Sequence, residues 1–207
     1  MKTIFALFLE NPWLMYSFAF FGGLCIGSFL NVVIYRLPKM LSGDLTKQEE
    51  TLKINLCWPG SFCIKCNQAL KFWHNIPLIS YFFLKGRCAY CQQKISLRYP
   101  TIEFLSAILL MFVIYWFGFN FKALSAVIFS GLLLVISVID FDEYLIPDLL
   151  AYLLLWIGLI TNIFQVYTSL QDAVIGAVVG YVSLWSVYHL FLICTGKQGM
   201  GYGDFKL

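Results

Sequence analysis

Residues 13–35 read WLMYSFAFFGGLCIGSFLNVVIY, a run with no charged side chain. A helix of about 20 mostly apolar residues is long enough to cross the hydrocarbon core of a bilayer. This run is longer than the apolar region of a cleavable signal peptide, and the acidic Glu10 precedes it where such a peptide carries basic residues. The sequence therefore predicts a membrane-spanning helix over residues 13–35.

Further apolar runs follow along the chain. Hydrophobic residues make up 60% of the sequence and charged residues only 12%, whereas a soluble domain has roughly 25% charged residues. This composition excludes an ordinary soluble protein and predicts an all-α polytopic membrane protein, with the lipid bilayer as a partner and no nucleic acid. Together with 13–35, four more runs predict at least five transmembrane helices: 101–117, 123–139, 149–167 and 173–194.

A polar insertion, residues 36–100, separates the first two predicted spans. It contains ten of the fourteen Lys and Arg residues of the chain. Basic loops stay on the cytoplasmic side of a membrane, so the insertion is predicted to be cytoplasmic and the N-terminus to face outward. The alternation of the later loops then puts Asp140 and Asp204, each at the end of an apolar run, on the same cytoplasmic face.

Two Cys-x-x-Cys pairs lie in the insertion, Cys63 with Cys66 and Cys88 with Cys91. Four thiolates suit a tetrahedral zinc ion, and a site with four protein ligands leaves no open position for a substrate. The cytoplasm keeps thiols reduced, which disfavours disulfides. The spacing therefore predicts a structural zinc site. A redox pair or an iron site is the alternative, and Cys57 nearby is a spare ligand.

The end of the chain carries a glycine-rich segment, Gly199-Met200-Gly201-Tyr202-Gly203-Asp204, directly after an apolar run. Two carboxylates that approach closely share one proton, because both cannot ionise cheaply. If Asp140 and Asp204 pair in this way, the ionised member takes a proton from water while the protonated member polarises a peptide carbonyl, as in aspartic proteases. Gly201 and Gly203 would let the backbone approach an extended substrate strand. The alternative is that both aspartates only terminate helices at the membrane interface.

Two other acids have a simpler interpretation. Asp148 and Glu103 each follow a proline that can start a helix. A carboxylate in the first turn of a helix is favoured by the helix dipole. Both are therefore predicted to be helix-start residues.

Several further stretches of the chain form a consistent series from about residue 20 to the end: 27–38 (GSFLNVVIYRLP), 75–81 (NIPLISY), 85–88 (KGRC), 95–100 (ISLRYP), 140–148 and 195–206. In this order they resemble the type IV prepilin peptidases, also called leader peptidase/N-methyltransferases. Members of that family are intramembrane-type aspartic peptidases with a Gly-x-Gly-Asp motif.

The resemblance implies two activities. Members of this family cut the basic leader from prepilins and type II secretion pseudopilins at the cytoplasmic face of the bacterial inner membrane. They then methylate the new N-terminal residue, usually phenylalanine, with S-adenosylmethionine as the methyl donor. By position the resemblance implies Asp140 and Asp204 as the catalytic pair, with Asp142, Glu143 and Asp148 as weaker candidates.

The resemblance also bears on the rest of the chain. It implies that the four paired cysteines bind the metal, and it suggests Gly27, Asn31 and Arg36 as contacts of the methyl donor. The chain then divides into an N-terminal segment with the first span, a zinc-binding insertion associated with methyl transfer, and a peptidase domain: 1–35, 36–100 and 101–207. Further spans follow the Gly-x-Gly-Asp segment in the family, so the sequence is expected to be truncated at its C-terminus.

Two functions of other classes would use part of the same features. A zinc-stabilised membrane scaffold of a pilus or secretion assembly would keep the cysteine pairs without needing both aspartates. A small transporter would use buried acids as a proton relay, but it would not need the glycines before Asp204.

Overall fold

The computed structural model describes residues 11–42, 55–197, 201 and 203. Regular structure in these residues is helical, and the extended segments form only two isolated bridges. In chain order the elements are α1 (Pro12–Ser42), a 3-10 helix (Phe72–Asn75), α2 (Ile79–Phe83), α3 (Arg98–Phe117), α4 (Phe121–Glu143), α5 (Asp148–Ile163) and α6 (Leu170–Thr195).

Helices lie at all five predicted apolar runs. Four of them, α1, α3, α4 and α6, are long and apolar enough to cross a membrane, and α5 is apolar but has only 16 residues. The prediction of an all-α polytopic membrane protein is confirmed. Helix α5 stops at Ile163 instead of residue 167, because the Asn162 side chain accepts hydrogen bonds from the backbone N–H groups of Tyr167 (3.3 Å) and Thr168 (3.2 Å) and turns the chain.

The chain forms two compact units, residues 1–119 and 120–207. In the first unit α1 packs along α3 through two glycines four residues apart. A Cβ on Gly23 would lie 2.5 Å from the Cα of Ala107, and a Cβ on Gly27 would lie 2.6 Å from the Cα of Glu103. Small residues at this spacing let two helix backbones approach closely inside a membrane. Neither position has room for a side chain.

The insertion is tied to this helix pair by two buried polar side chains of α1. The Asn31 amide nitrogen donates to the carbonyl of Tyr99 at 3.0 Å. The Arg36 guanidinium donates to the carbonyls of Asn55 (2.7 Å) and Pro59 (2.9 Å). Buried polar groups need such partners, so these bonds fix the base of the insertion against the end of α1.

The second unit consists of α4, α5 and α6. Its most deeply buried side chains all belong to one face of α4: Val135, Ile136 and Ile139. Ser169 caps the start of α6 by accepting a hydrogen bond from the N–H of Asp172 at 3.1 Å, as its position before the apolar run indicates. Within α6 only Tyr188 is buried.

The two units divide after residue 119. The division of the chain into 1–35, 36–100 and 101–207 stays a prediction. Helix α3 belongs to the first unit because its face around Glu103 and Ala107 is in backbone contact with the glycines of α1.

Candidate functional sites

The four paired cysteines come together in the insertion. The Sγ atoms of Cys63, Cys66, Cys88 and Cys91 all lie within 4.8 Å of one another, and those of Cys63 and Cys91 are 3.8 Å apart. Zinc–sulfur bonds of about 2.3 Å in a tetrahedron require sulfur–sulfur distances of roughly 3.8 Å. The donor set and its spacing therefore fit a zinc ion. Cys57 is exposed and is not part of this cluster.

The two cysteine pairs sit on hairpins with the same hydrogen bonds. In each, the N–H of the first cysteine donates to the carbonyl five residues later, and the N–H four residues later donates to the carbonyl of that cysteine. The donor–acceptor pairs are Cys63 to Gln68 (3.0 Å), Asn67 to Cys63 (2.8 Å), Cys88 to Gln93 (2.9 Å) and Gln92 to Cys88 (3.1 Å).

This local repeat was missed in the sequence analysis. Asn67 and Gln92 occupy equivalent positions in the two hairpins. Their φ angles are 54° and 56°, and positive φ angles are uncommon for residues other than glycine. The signal for it was present in the sequence, because each pair is followed by an amide residue and then by glutamine. The repeated turn aims both thiols of each pair at one point.

The environments of the thiols are unequal. The backbone N–H of Cys91 is the largest influence on Cys88 and lowers the pKa of that thiol to about 7. The backbone N–H of Gln68 favours the Cys66 thiolate, but burial and the neighbouring thiols outweigh it and raise the pKa of Cys66 to about 11. Without a metal the Cys88 thiol therefore ionises more readily than the Cys66 thiol.

Asp140 lies in the last turn of α4 and is half-buried. The helix ends four residues later at Tyr144, whose φ of 54° is left-handed and whose N–H donates to the Asp140 carbonyl at 2.9 Å. Asp142 and Glu143, in the same turn, are exposed. The C-terminal end of a helix disfavours negative charge. Helix stability alone therefore does not account for three acids in this turn.

Gly203 of the Gly-x-Gly-Asp segment lies against the loop between α4 and α5. Gly203 is half-buried, and a Cβ at this residue would lie 3.0 Å from the Cβ of Ile146. Gly201 is exposed. Asp204 lies outside the described residues. The contact brings Gly203 against the stretch that connects Asp140 to α5.

Asp148 and Glu103 differ from each other in the structure, although the sequence suggested the same role for both. Asp148 is exposed in the first turn of α5, with Pro147 as the N-cap, which agrees with a helix-start carboxylate. Glu103 is buried, accepts a hydrogen bond from the N–H of Leu78 at 2.8 Å and is hydrogen-bonded to Ser28. The simple interpretation of Glu103 was incomplete.

A cavity of about 780 Å³ lies in the first unit, between the C-terminal half of α1, the insertion and the start of α3. Asn31 and Arg36, two of the three suggested donor contacts, line this cavity, and so does Glu103. Gly27, the third suggested contact, packs against the backbone of α3. The space therefore has polar groups of α1 and α3 in its wall.

Two family models match the chain. The model described as the bacterial peptidase A24 N-terminal domain matches residues 21–117, and the model described as the type IV leader peptidase family matches residues 127–207. The first match falls within the first unit and the second within the second unit.

Several curated proteins named prepilin leader peptidase/N-methyltransferase are similar to the chain. The protein from Pseudomonas putida is 44% identical over 99% of this chain and 74% of its own length. The one from Stutzerimonas stutzeri is 47% identical over 96% and 72%, and the one from Neisseria gonorrhoeae 43% identical over 89% and 68%. No solved structure matches the chain. From both family matches and the extent of these similarities, we conclude that the chain belongs to the type IV leader peptidase family.

Proposed function

We propose that this protein is a bifunctional membrane enzyme that cleaves the leader of type IV prepilins and type II secretion pseudopilins and then N-methylates the new N-terminal residue, usually phenylalanine. The names of its relatives support both activities. The observation that carries the peptidase half is the contact between Gly203 and Ile146. It joins the glycine segment before Asp204 to the loop that follows Asp140.

The peptide bond would be cut by Asp140 and Asp204 acting as a pair. The ionised aspartate removes a proton from water, whose oxygen forms a bond to the carbonyl carbon, while the protonated aspartate donates to the carbonyl oxygen. The carbon–nitrogen bond then breaks, and the leaving amine takes up the proton. Half-burial of Asp140 at the end of an apolar helix fits this role, because limited access to water strengthens proton sharing between carboxylates.

The four cysteines would hold a zinc ion with a structural role. Four thiolates fill a tetrahedral site and leave no position for water or substrate. The insertion has little regular structure of its own beyond two short helices in its described part. A bound metal therefore supplies folding free energy to a segment with a small core.

Methyl transfer would follow cleavage. S-adenosylmethionine, when bound, would supply the methyl group. The neutral amine of the cleaved pilin would form the new carbon–nitrogen bond and lose a proton, while the sulfur–methyl bond breaks and S-adenosylhomocysteine leaves. The protein's part is to hold donor and acceptor close together and correctly oriented. The cavity of about 780 Å³ in the first unit has room for a donor of this kind, which supports the proposal.

The site of action would be the cytoplasmic face of the bacterial inner membrane. Ten of the fourteen basic residues lie in residues 36–100, which favours a cytoplasmic insertion and an N-terminus on the outer side. Both Asp140 and the Gly-x-Gly-Asp segment would then be reached from the cytoplasm, where unprocessed prepilins carry their basic leaders.

The test is leader cleavage in membranes that contain the full-length protein and a prepilin. We expect Asp140→Asn and Asp204→Asn each to abolish cleavage while the zinc content stays at the wild-type level. Asp142→Asn and Asp148→Asn are matched controls that should retain cleavage. Loss of activity in a control together with normal cleavage in Asp140→Asn would move the catalytic role to another acid. If wild type fails to cleave prepilin, the scaffold function becomes the better interpretation.

A further inference from the structure

The cavity of the first unit has the size of a small-molecule site. Its volume of about 780 Å³ falls in the range of roughly 300–1,000 Å³ that is typical of pockets for drug-sized ligands. Its wall combines three tyrosines with a buried carboxylate and a buried amide: Tyr35, Tyr81, Tyr99, Glu103 and Asn31. We propose that this cavity binds S-adenosylmethionine and that Glu103 provides the negative charge facing the cationic part of the donor. The inference rests on the methyltransferase half of the proposed function.

The Glu103 carboxylate is unusual for its position. It lies one turn into α3, a helix apolar enough to span a membrane, yet only 9% of it is exposed. Charged side chains inside membrane segments are rare, and they mark functional sites. The hydrogen bonds from Leu78 (2.8 Å) and Ser28 hold the carboxylate in place. A carboxylate has about four acceptor positions, so it can accept more contacts from a ligand.

Asn31 contributes an unused acceptor to the same cavity. This residue is 4% exposed, and its amide nitrogen already donates to the carbonyls of Gly27 (3.2 Å) and Tyr99 (3.0 Å). Its Oδ1 atom is buried and has no hydrogen-bond partner among the residues that the structure describes, and the same holds for Nδ1 of His74, which also lines the cavity. Buried polar atoms without a partner are destabilising. Adenine and the ammonium group of the donor carry N–H groups that would satisfy Asn31.

The tyrosine rings suit the remaining parts of the donor. A sulfonium ion is attracted to the negative face of an aromatic ring in the way that quaternary ammonium ligands are. Arg36 is engaged elsewhere, because its guanidinium donates to carbonyls of Asn55, Pro59 and Gly60. Its role is to fix the insertion as the outer wall of the cavity. The wall also contains Lys65, which donates to the Gln93 side chain at 2.8 Å, and Lys94 and Arg98, which could face the carboxylate of the donor. Glu103 is the one acid among the described lining residues and supplies the charge facing the sulfonium.

The first measurement is equilibrium dialysis of radiolabelled S-adenosylmethionine against the purified, zinc-loaded, full-length protein in detergent. We expect Glu103→Gln to weaken binding at least tenfold, because glutamine keeps the volume and an acceptor for Leu78 but removes the charge. Glu143→Gln makes the same chemical change on an exposed residue of the second unit and should leave binding unchanged. Equal affinity of wild type and Glu103→Gln would overturn the inference.

A second measurement separates charge recognition from a structural effect. S-adenosylhomocysteine lacks the methyl group on sulfur and, with it, the positive charge of the sulfonium, and is otherwise the same molecule. Wild type should prefer the donor over this product, and Glu103→Gln should lose that preference. If the variant weakens both ligands by the same factor, Glu103 has a structural role only and the charge assignment is wrong. Zinc content and leader cleavage serve as the folding controls.

A third variant tests the cavity if Glu103→Gln does not fold. Val32→Trp places a large ring in the cavity from the side of α1 and should abolish binding of both ligands while cleavage continues. Normal binding by this variant would show that the donor sits elsewhere. If wild type itself binds no donor, the methyltransferase half of the proposed function fails as well. If wild type binds and methylates but all variants bind normally, only the present assignment fails.

Discussion

Gly203 lies against Ile146 so closely that a Cβ at residue 203 would be 3.0 Å from the Ile146 Cβ. Ile146 belongs to the short connection between α4, which carries Asp140, and α5. The glycine is therefore part of a packed junction between two segments that are distant in sequence. Its lack of a side chain sets how near these segments can come.

We predict that Gly203→Ala lowers prepilin cleavage by about 10- to 100-fold, since displacements of about 1 Å at a catalytic site have effects of this size. Cleavage is measured in membranes at equal protein levels. Gly176→Ala is the control, because a Cβ at Gly176 meets no atom within 4 Å. The double variant Gly203→Ala with Ile146→Gly removes the Ile146 Cβ that the new methyl group would meet and should recover part of the activity. An unimpaired Gly203→Ala enzyme would mean that this junction is not needed for catalysis.

Two neighbouring glycines of α1, Gly22 and Gly23, should respond differently to substitution by alanine. Gly23→Ala should destabilise the first unit by about 1–3 kcal/mol through overpacking, because the nearest atoms are backbone atoms of Ala107 and Ser106, which cannot move aside. Gly22→Ala should be tolerated, since its Cβ would be 3.6 Å from a side-chain carbon of Leu110. Thermal unfolding in detergent compares the two variants. Equal melting temperatures would contradict the close backbone contact between α1 and α3.

The cysteine cluster predicts one zinc ion per chain. Cys88→Ser should remove the metal and leave residues 55–97 sensitive to protease, because it takes one ligand from a closed site. Cys57→Ser is the matched control and should keep the metal, since Cys57 is outside the cluster. Metal content is measured on purified protein by mass spectrometry. Full zinc occupancy in Cys88→Ser would rule out this ligand set.

The thiol environments predict a pH dependence for the metal-free protein. The pKa of Cys88 is lowered to about 7 from 9.0, so its thiolate stabilises the folded insertion fully above pH 9.0 and this contribution is lost as the pH falls through 7. The pKa of Cys66 is raised to about 11, so its contribution is present below pH 9.0 and is lost as the pH rises through 11. Ultraviolet absorbance of thiolates during titration should show a step near pH 7 that is missing in Cys88→Ser. A single step near pH 9.0 would contradict the assignment.

The helices could be predicted because a long apolar run forms a helix in a membrane without depending on distant parts of the chain. The residues at which the helices end were less predictable, because side-chain hydrogen bonds to nearby backbone groups determine them. Residues 164–167 are apolar enough to continue α5, yet the Asn162 side chain takes the N–H groups of Tyr167 and Thr168 and ends the helix earlier. The four cysteines could be paired from their spacing, because two residues between cysteines fit one turn of a hairpin.

The burial and hydrogen bonding of Glu103 could not be predicted from the residues around it in the sequence. Its place near the start of a helix is visible in the sequence, but its hydrogen bond to Leu78 spans 25 residues and depends on how the insertion folds back onto α3. Gly27 is a second case, because the motif around it suggested a ligand contact and its close approach to Glu103 of α3 shows a packing role. Both contacts join parts of the chain that are distant in sequence.

Because α1 and α3 are in close contact, loss of metal from the insertion need not disturb the packing of these two helices in the membrane. The chain enters the insertion from α1 and returns to α3, and these two helices are joined below it through the backbones at Gly23 and Gly27. Stripping zinc would unravel the cysteine hairpins while both attachment points keep their spacing, because no atom of the cluster takes part in that contact. We therefore expect removal of the metal to leave α1 and α3 packed at Gly23 and Gly27, so that added metal could restore the cysteine hairpins without unfolding this helix pair.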